Sequence, residues 1–211
     1  LSNYTPECIV ESSLECKISD LGNIDGMSSE EFAFRFKDAF DIANIDINRA
    51  VTHNKGIMNG VDAVLISTGN DFRAVEAGVH AFASRKGNYK SLSECSIIDN
   101  IFKINLKIPL SIGTVGGITD VHPMVRLSLK LLNNPTSNDL MSIICSVGLA
   151  QNFAAIKSLV TTGIQKGHMK MHLINLLIKQ NATKNQIEKS KEYFRDKEIN
   201  SESVKVFLNQ N

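Results

Sequence analysis

Apolar positions along this chain recur with two periods, and the two periods sort it into strands and helices. Residues 101–110 alternate strictly, Phe102, Ile104, Leu106 and Ile108 against Lys103, Asn105 and Lys107. Period two predicts a half-buried strand paired antiparallel with a neighbour. Residues 7–18 alternate in part and carry β-branched runs, predicting a second strand. Phe32, Phe36, Phe40 and Ala43 follow a Ser28/Glu31 capping-box pattern at helical spacing, predicting a helix over 29–45. Residues 46–60 are polar and turn-rich, and the short apolar run Val61–Ser67 is broken by TGND, which can cap a helix over 71–85. Residues 86–95 read as a loop, and Gly113, Gly116 and Gly117 mark a turn. Further helices are expected over 127–132, from a cap at Ser137 or Asn138 to about Val147, over 149–162, and over 169–179. From 180 to 211 the chain is polar, charged and Asn-rich, with a Thr183/Gln186 capping box, and reads as short mobile helices. The expected fold class is α+β, helices on a few mainly antiparallel strands. The expected division is 1–179 as one domain and 180–211 as a helical flap.

Composition narrows what such a domain can do. With 211 residues it is long enough for one large core or two small ones. The formal net charge is +1, Trp is absent and aromatics are 6%, so neither a nucleic-acid surface nor an anionic-lipid surface is expected. No stretch of about 18 apolar residues is apparent, so no membrane span is expected. Cys8, Cys16, Cys95 and Cys145 form no CxxC pair and read as thiols of a reducing compartment. The chain opens on Leu1 rather than Met and runs almost at once into a strand, which reads as a fragment or a processed chain.

Few residues carry chemistry on their own account. Lys55, in the polar stretch between Asn54 and Gly56, could set its ammonium against a developing oxyanion; alone it is more economically a surface lysine. Asp71 at a helix start reads, taken alone, as an N-cap; a catalytic aspartate at the same place could hold Lys55 charged. His168, at a helix start, can donate a proton. With His172 it makes an HxxxH pair, but neither the metalloprotease glutamate nor a third ligand accompanies it, so no metal site is expected. GTVGG at 113–117 is neither GxGxxG nor GxxxxGK[ST] and reads as a Gly-rich turn.

Four stretches taken together say more: RAVTHNKGIMNG (49–60), STGNDFRAVEAG (67–78), VGLAQNFAA (147–155) and GIQKGHMKMH (163–172). In wording, order and spacing the chain resembles the class II 3-hydroxy-3-methylglutaryl-CoA (HMG-CoA) reductases over about residues 7–178, as the C-terminal part of their large domain. The resemblance implies reduction of HMG-CoA to mevalonate and CoA by two hydride transfers from NADH or NADPH, a step of isoprenoid biosynthesis. It implies roles for Lys55 as the lysine at the substrate oxyanion, Asp71 as its aspartate partner, and His168 as the acid that protonates the departing thiolate. Arg49 and Thr52 match positions that hold the HMG carboxylate, Asn59 one that orients the catalytic group, and Gln151 and Asn152 a motif lining the site. Residues 180–211 match the flap that brings the histidine in. The family's ENVIG-type glutamate segment and DAMGAN-type cofactor segment are missing from these residues. The small cofactor domain is therefore expected to lie outside this chain, and the chain alone is expected to be inactive. A cytoplasmic homodimer completed by the N-terminal half is expected. The alternatives are a non-catalytic paralogue or regulatory partner of a full reductase, and a thioester-handling enzyme without redox chemistry.

Overall fold

The computed structural model describes the chain except residues 162, 196, 198 and 211, and gives the backbone alone for 164–170. It divides into two compact units, Leu1–Thr161 and Thr162–Asn211. The first is α+β. Strands β1 (Ile9–Lys17), β2 (Ser93–Ile98) and β3 (Ile101–Pro109) form an antiparallel sheet in the order β1-β3-β2. The alternation of β3 works as expected. Phe102, Ile104, Leu106 and Ile108 are buried beneath the helices. On the other face, Lys103 and Lys107 stand opposite Glu15 and Glu11 of β1, at 3.2 and 3.9 Å. β2 lies partly where a loop was expected. It has no clean alternation, and its pairing depends on a hairpin whose two turn residues, Asp99 and Asn100, take φ of 50° and 62°.

Helix α1 (Ser29–Ile45) starts as predicted, with the Ser28 side chain accepting from Glu31 N. Its Phe32, Phe36 and Phe40 form the aromatic centre of the core, Phe36 meeting Phe102 at 5.4 Å and Phe153 at 5.0 Å.

Helix α2 (Ile47–Ser67) corrects the reading of 46–60 as turns. Asp46 caps it, and Ala50, Ile57, Val61 and Leu65 make its buried stripe. That stripe is masked in the sequence because His53 and Asn54 are polar and yet buried, and because Gly56 and Gly60 look like turn residues. α3 (Phe72–Ala83) follows, then β2 and β3, a short α4 (Ile118–Val121) and α5 (Pro123–Leu131).

α6 (Ser137–Val160) is one helix where two were expected, capped by a Thr136/Asp139 box rather than by Ser137 or Asn138. Its Gly148 is no break. A Cβ there would meet Val61 at 2.9 Å and Leu106 at 3.2 Å, so this glycine admits α2 and the sheet to close approach. By length and composition α6 would also suffice to cross a membrane, because its scattered polar residues do not outweigh its apolar ones. Within this unit it packs on α2, β1 and β3.

The second unit holds α7 (Ile164–Lys179), α8 (Lys184–Tyr193) and α9 (Ser201–Gln210). It has a core of its own, Leu173, Leu177, Phe194, Val204 and Phe207. The Thr183/Gln186 capping box forms as predicted. This unit takes in α7 as well as the 180–211 tail.

Candidate functional site

One face of α2 gathers most of the residues singled out in the sequence. At about 100° per residue, Arg49, Thr52, Lys55 and Asn59 fall within an arc of about 120°. Thr52, Lys55 and Asn59 are exposed and Arg49 is half-buried. The helix that corrects the sequence reading is thus what brings these four side chains onto one face. Gln151 of α6 is exposed beside them. A Cβ on Gly60 would lie 2.9 Å from Gln151 Cβ and 2.9 Å from Val147 O, so only glycine lets α6 bring Gln151 this close to α2.

Behind that face lies a buried polar network that orients it. His53 Nε2 is 2.7 Å from Ser93 Oγ, Ser93 Oγ donates to Asn152 Oδ1 at 2.9 Å, and Asn152 Nδ2 is 3.2 Å from His53 Nε2. Next to it, Asn54 donates to Lys90 O at 2.8 Å and accepts from Leu92 N at 3.0 Å. The three members are 2%, 0% and 0% exposed, so this serine–histidine–asparagine grouping meets no substrate and joins α2, β2 and α6. Burial, and then the Arg49 charge, push His53 down to about 4, and it is neutral. Its Nδ1 is buried with no partner among the described residues. Asn152, expected to line the substrate site, is buried behind α2 as a member of this network. Sequence reasoning missed His53, Asn54 and Ser93. The available signal was a His-Asn pair in register with the apolar stripe of an amphipathic helix.

Asp71 realises the capping role read from the sequence: it accepts from Arg73 N at 3.1 Å and Ala74 N at 3.2 Å and starts α3. Among the described residues no ion pair joins it to Lys55, which stands about 18 Å of helix before the end of α2 at Ser67. The turn between α2 and α3 is fixed by its own motif. Gly69 takes φ 72°, and a Cβ there would meet Ile118 at 2.8 Å. Asn70 Oδ1 accepts from Gly113 N at 2.9 Å, tying the Gly-rich loop to this turn. Beside the loop is an open cavity of about 740 Å³ lined by Thr114, Thr119, Asp120, Arg126 and Lys130, among others. His168 belongs to α7 of the second unit, and its side chain lies outside the described residues.

With this geometry in view, comparisons with known proteins converge. The hydroxymethylglutaryl-coenzyme A reductase family matches residues 1–173. A 3-hydroxy-3-methylglutaryl-coenzyme A reductase of Archaeoglobus fulgidus is 41% identical over 186 residues, 87% of this chain and 42% of that protein. A probable reductase of Borreliella burgdorferi is 46% identical over 129 residues, 61% of this chain and 30% of its own. The structure of the reductase from Streptococcus pneumoniae superposes with a TM-score of 0.73 at 41% identity, covering 99% of this chain and 50% of that one. A second structure from that organism, a class II reductase bound to NADPH in open conformations, matches equally well. The chain spans about half or less of the length of these relatives.

Proposed function

Because the chain belongs to the hydroxymethylglutaryl-coenzyme A reductase family, class II, we propose that it supplies the HMG-CoA-binding part of an enzyme that interconverts HMG-CoA with mevalonate and CoA. The observation that carries this reading is the single α2 face presenting Arg49, Thr52, Lys55 and Asn59 beside Gln151.

In the reductive direction the chain's residues divide the work. Arg49, with Thr52, binds the HMG carboxylate, for which a guanidinium fork is well matched. Lys55 meets the thioester oxygen. As the carbonyl carbon is reduced, negative charge collects on that oxygen, and the ammonium stabilises it. Collapse of the hemithioacetal breaks the carbon–sulfur bond and expels the CoA thiolate. His168 protonates the thiolate, which stops it from adding back to mevaldehyde. In the second reduction Lys55 gives a proton to the new alkoxide. Asp71 partners Lys55, and Asn59 orients it.

The cavity by the Gly-rich loop is lined by Asp120 as well as by Arg126 and Lys130 and is no complete dinucleotide site, so we place the nicotinamide cofactor on the N-terminal part of the enzyme. NADH or NADPH would supply the hydride. Since no ion pair joins Lys55 to Asp71 among the described residues, we place the complete site in a homodimer joined by the N-terminal part of the enzyme, with residues 180–211 as a mobile flap. The four free cysteines fit a cytoplasmic setting.

Kinetics of the assembled enzyme separate the roles. Lys55→Met should lower kcat about 100- to 1000-fold. Arg49→Gln should raise KM for HMG-CoA about 10- to 100-fold, the loss of a charge-assisted pair, with a smaller effect on kcat. Equal losses in both parameters for both variants would contradict the assignment.

A further inference from the structure

One side chain joins the turn between α2 and α3 to the Gly-rich loop. α2 ends in a left-handed cap: Gly69 takes φ 72° and donates to Ile66 O at 3.2 Å, and Asn70 N donates to Leu65 O at 2.9 Å. The Asn70 amide then uses both its ends. Gly113 N–H can only donate, so it faces Oδ1, at 2.9 Å. Thr68 is buried, and its hydroxyl gives its proton to Val64 O at 2.7 Å, so it accepts from Asn70 Nδ2, at 3.1 Å. A carboxylate has no donor and could not make both bonds. Asn70 and Gly113 are 43 residues apart, with α3, β2 and β3 between them in the chain. A second contact fixes the same turn. A Cβ on Gly69 would meet Ile118 Cγ2 at 2.8 Å and Val125 Cγ2 at 3.1 Å, so the turn bears directly on α4 and α5. Those two helices and the loop supply Thr119, Arg126 and Thr114 to the wall of the 740 Å³ cavity.

Asp71 is the next residue in the chain. Its Oδ1 is taken by the cap of α3, which leaves Oδ2 to be presented, in a direction set by the turn. We infer that Asn70 is a positioning residue: its amide latches the Gly-rich loop to the turn, so that Asp71 and the loop wall of the cavity keep one fixed relation. The latch stands apart from the function proposed above; its effect on catalysis rests on that function.

Gly113 is exposed, so its amide should be protected from exchange chiefly by Asn70. The test measures amide hydrogen exchange in the full chain and in Asn70→Ala. Gly113 N–H should exchange about 5- to 10-fold faster in the variant, the loss of one hydrogen bond, and Asn70→Asp, which keeps the acceptor, should restore most of the protection. Equal rates at Gly113 in wild type and Asn70→Ala would overturn the latch. Should Asn70→Ala not fold, a through-bond coupling from Gly113 N to the Asn70 side-chain carbonyl in the wild type decides by itself. In the assembled enzyme, Asn70→Ala should lower kcat about 10- to 100-fold, with KM for HMG-CoA within about twofold. Ser28→Ala, which removes the cap of α1, should lower the unfolding midpoint by about 2–4 °C and leave kcat unchanged, so loss of stability alone does not give that result. An unchanged kcat in an Asn70→Ala enzyme whose Gly113 amide is released would overturn the positioning role. A wild-type assembly without activity but with Gly113 protected would instead count against the proposed function.

Discussion

His53 bears on stability in a way its neighbour Lys55 does not. Its ring is neutral inside the fold, pushed down to about 4 by burial. Its stabilising contribution is therefore fully present above the ordinary histidine value of 6.5 and is lost as pH falls towards 4. Urea unfolding at pH 7 and pH 5 should show the wild type losing about 2 kcal/mol more than His53→Gln, one proton over about 1.5 pH units. Equal losses would show that the ring is not held neutral. Asn152→Leu removes the partner of Ser93 and His53 and should cost about 1–3 kcal/mol at pH 7, with the α2 face misoriented. The residues of this region were legible to different depths. Arg49, Thr52, Lys55 and Asn59 stood out as a motif, and Asp71 as a cap. Ser93, which has only a hydrogen-bonding role, had no local signal, because its partners are 40 and 59 residues away in the chain.

Glycines set the geometry of α2 against α6, and they differ in what they tolerate. A Cβ on Gly60 would sit 2.9 Å from both Gln151 Cβ and Val147 O, whereas one on Gly56 would rest 3.6 Å from Ala155 Cβ. Gly60→Ala should therefore destabilise by about 1–3 kcal/mol, because α6 backbone must move. Gly56→Ala should be neutral or stabilise by up to about 1 kcal/mol, through helix propensity. Thermal unfolding of the two variants checks the contrast, and equal effects would mean that α6 does not bear on α2 as described. The same glycines explain why α2 was read as turns. Between Asp46 and Ser67 the apolar spacing is sound only once His53 and Asn54 are counted as buried. α1 and β3, whose buried positions are all apolar, were legible to within a residue or two. β2 was not, since its pairing comes from β3 and the Asp99-Asn100 turn rather than from its own pattern.

At the scale of the molecule, the chain carries its own sheet, core and α2 face, yet spans about half or less of its relatives. The α2 face offers an ammonium, a guanidinium, a hydroxyl and an amide, which suit a carboxylate and a developing oxyanion. In the proposed function the hydride and the remaining acid come from elsewhere in the assembled enzyme. NAD(P)H oxidation with HMG-CoA, by this chain alone and then with the N-terminal part of a related reductase, tests that division most directly. We predict no oxidation by the chain alone, and oxidation in the assembled mixture that Lys55→Ala abolishes. Oxidation by the chain alone, or activity in the mixture that survives Lys55→Ala, would contradict it.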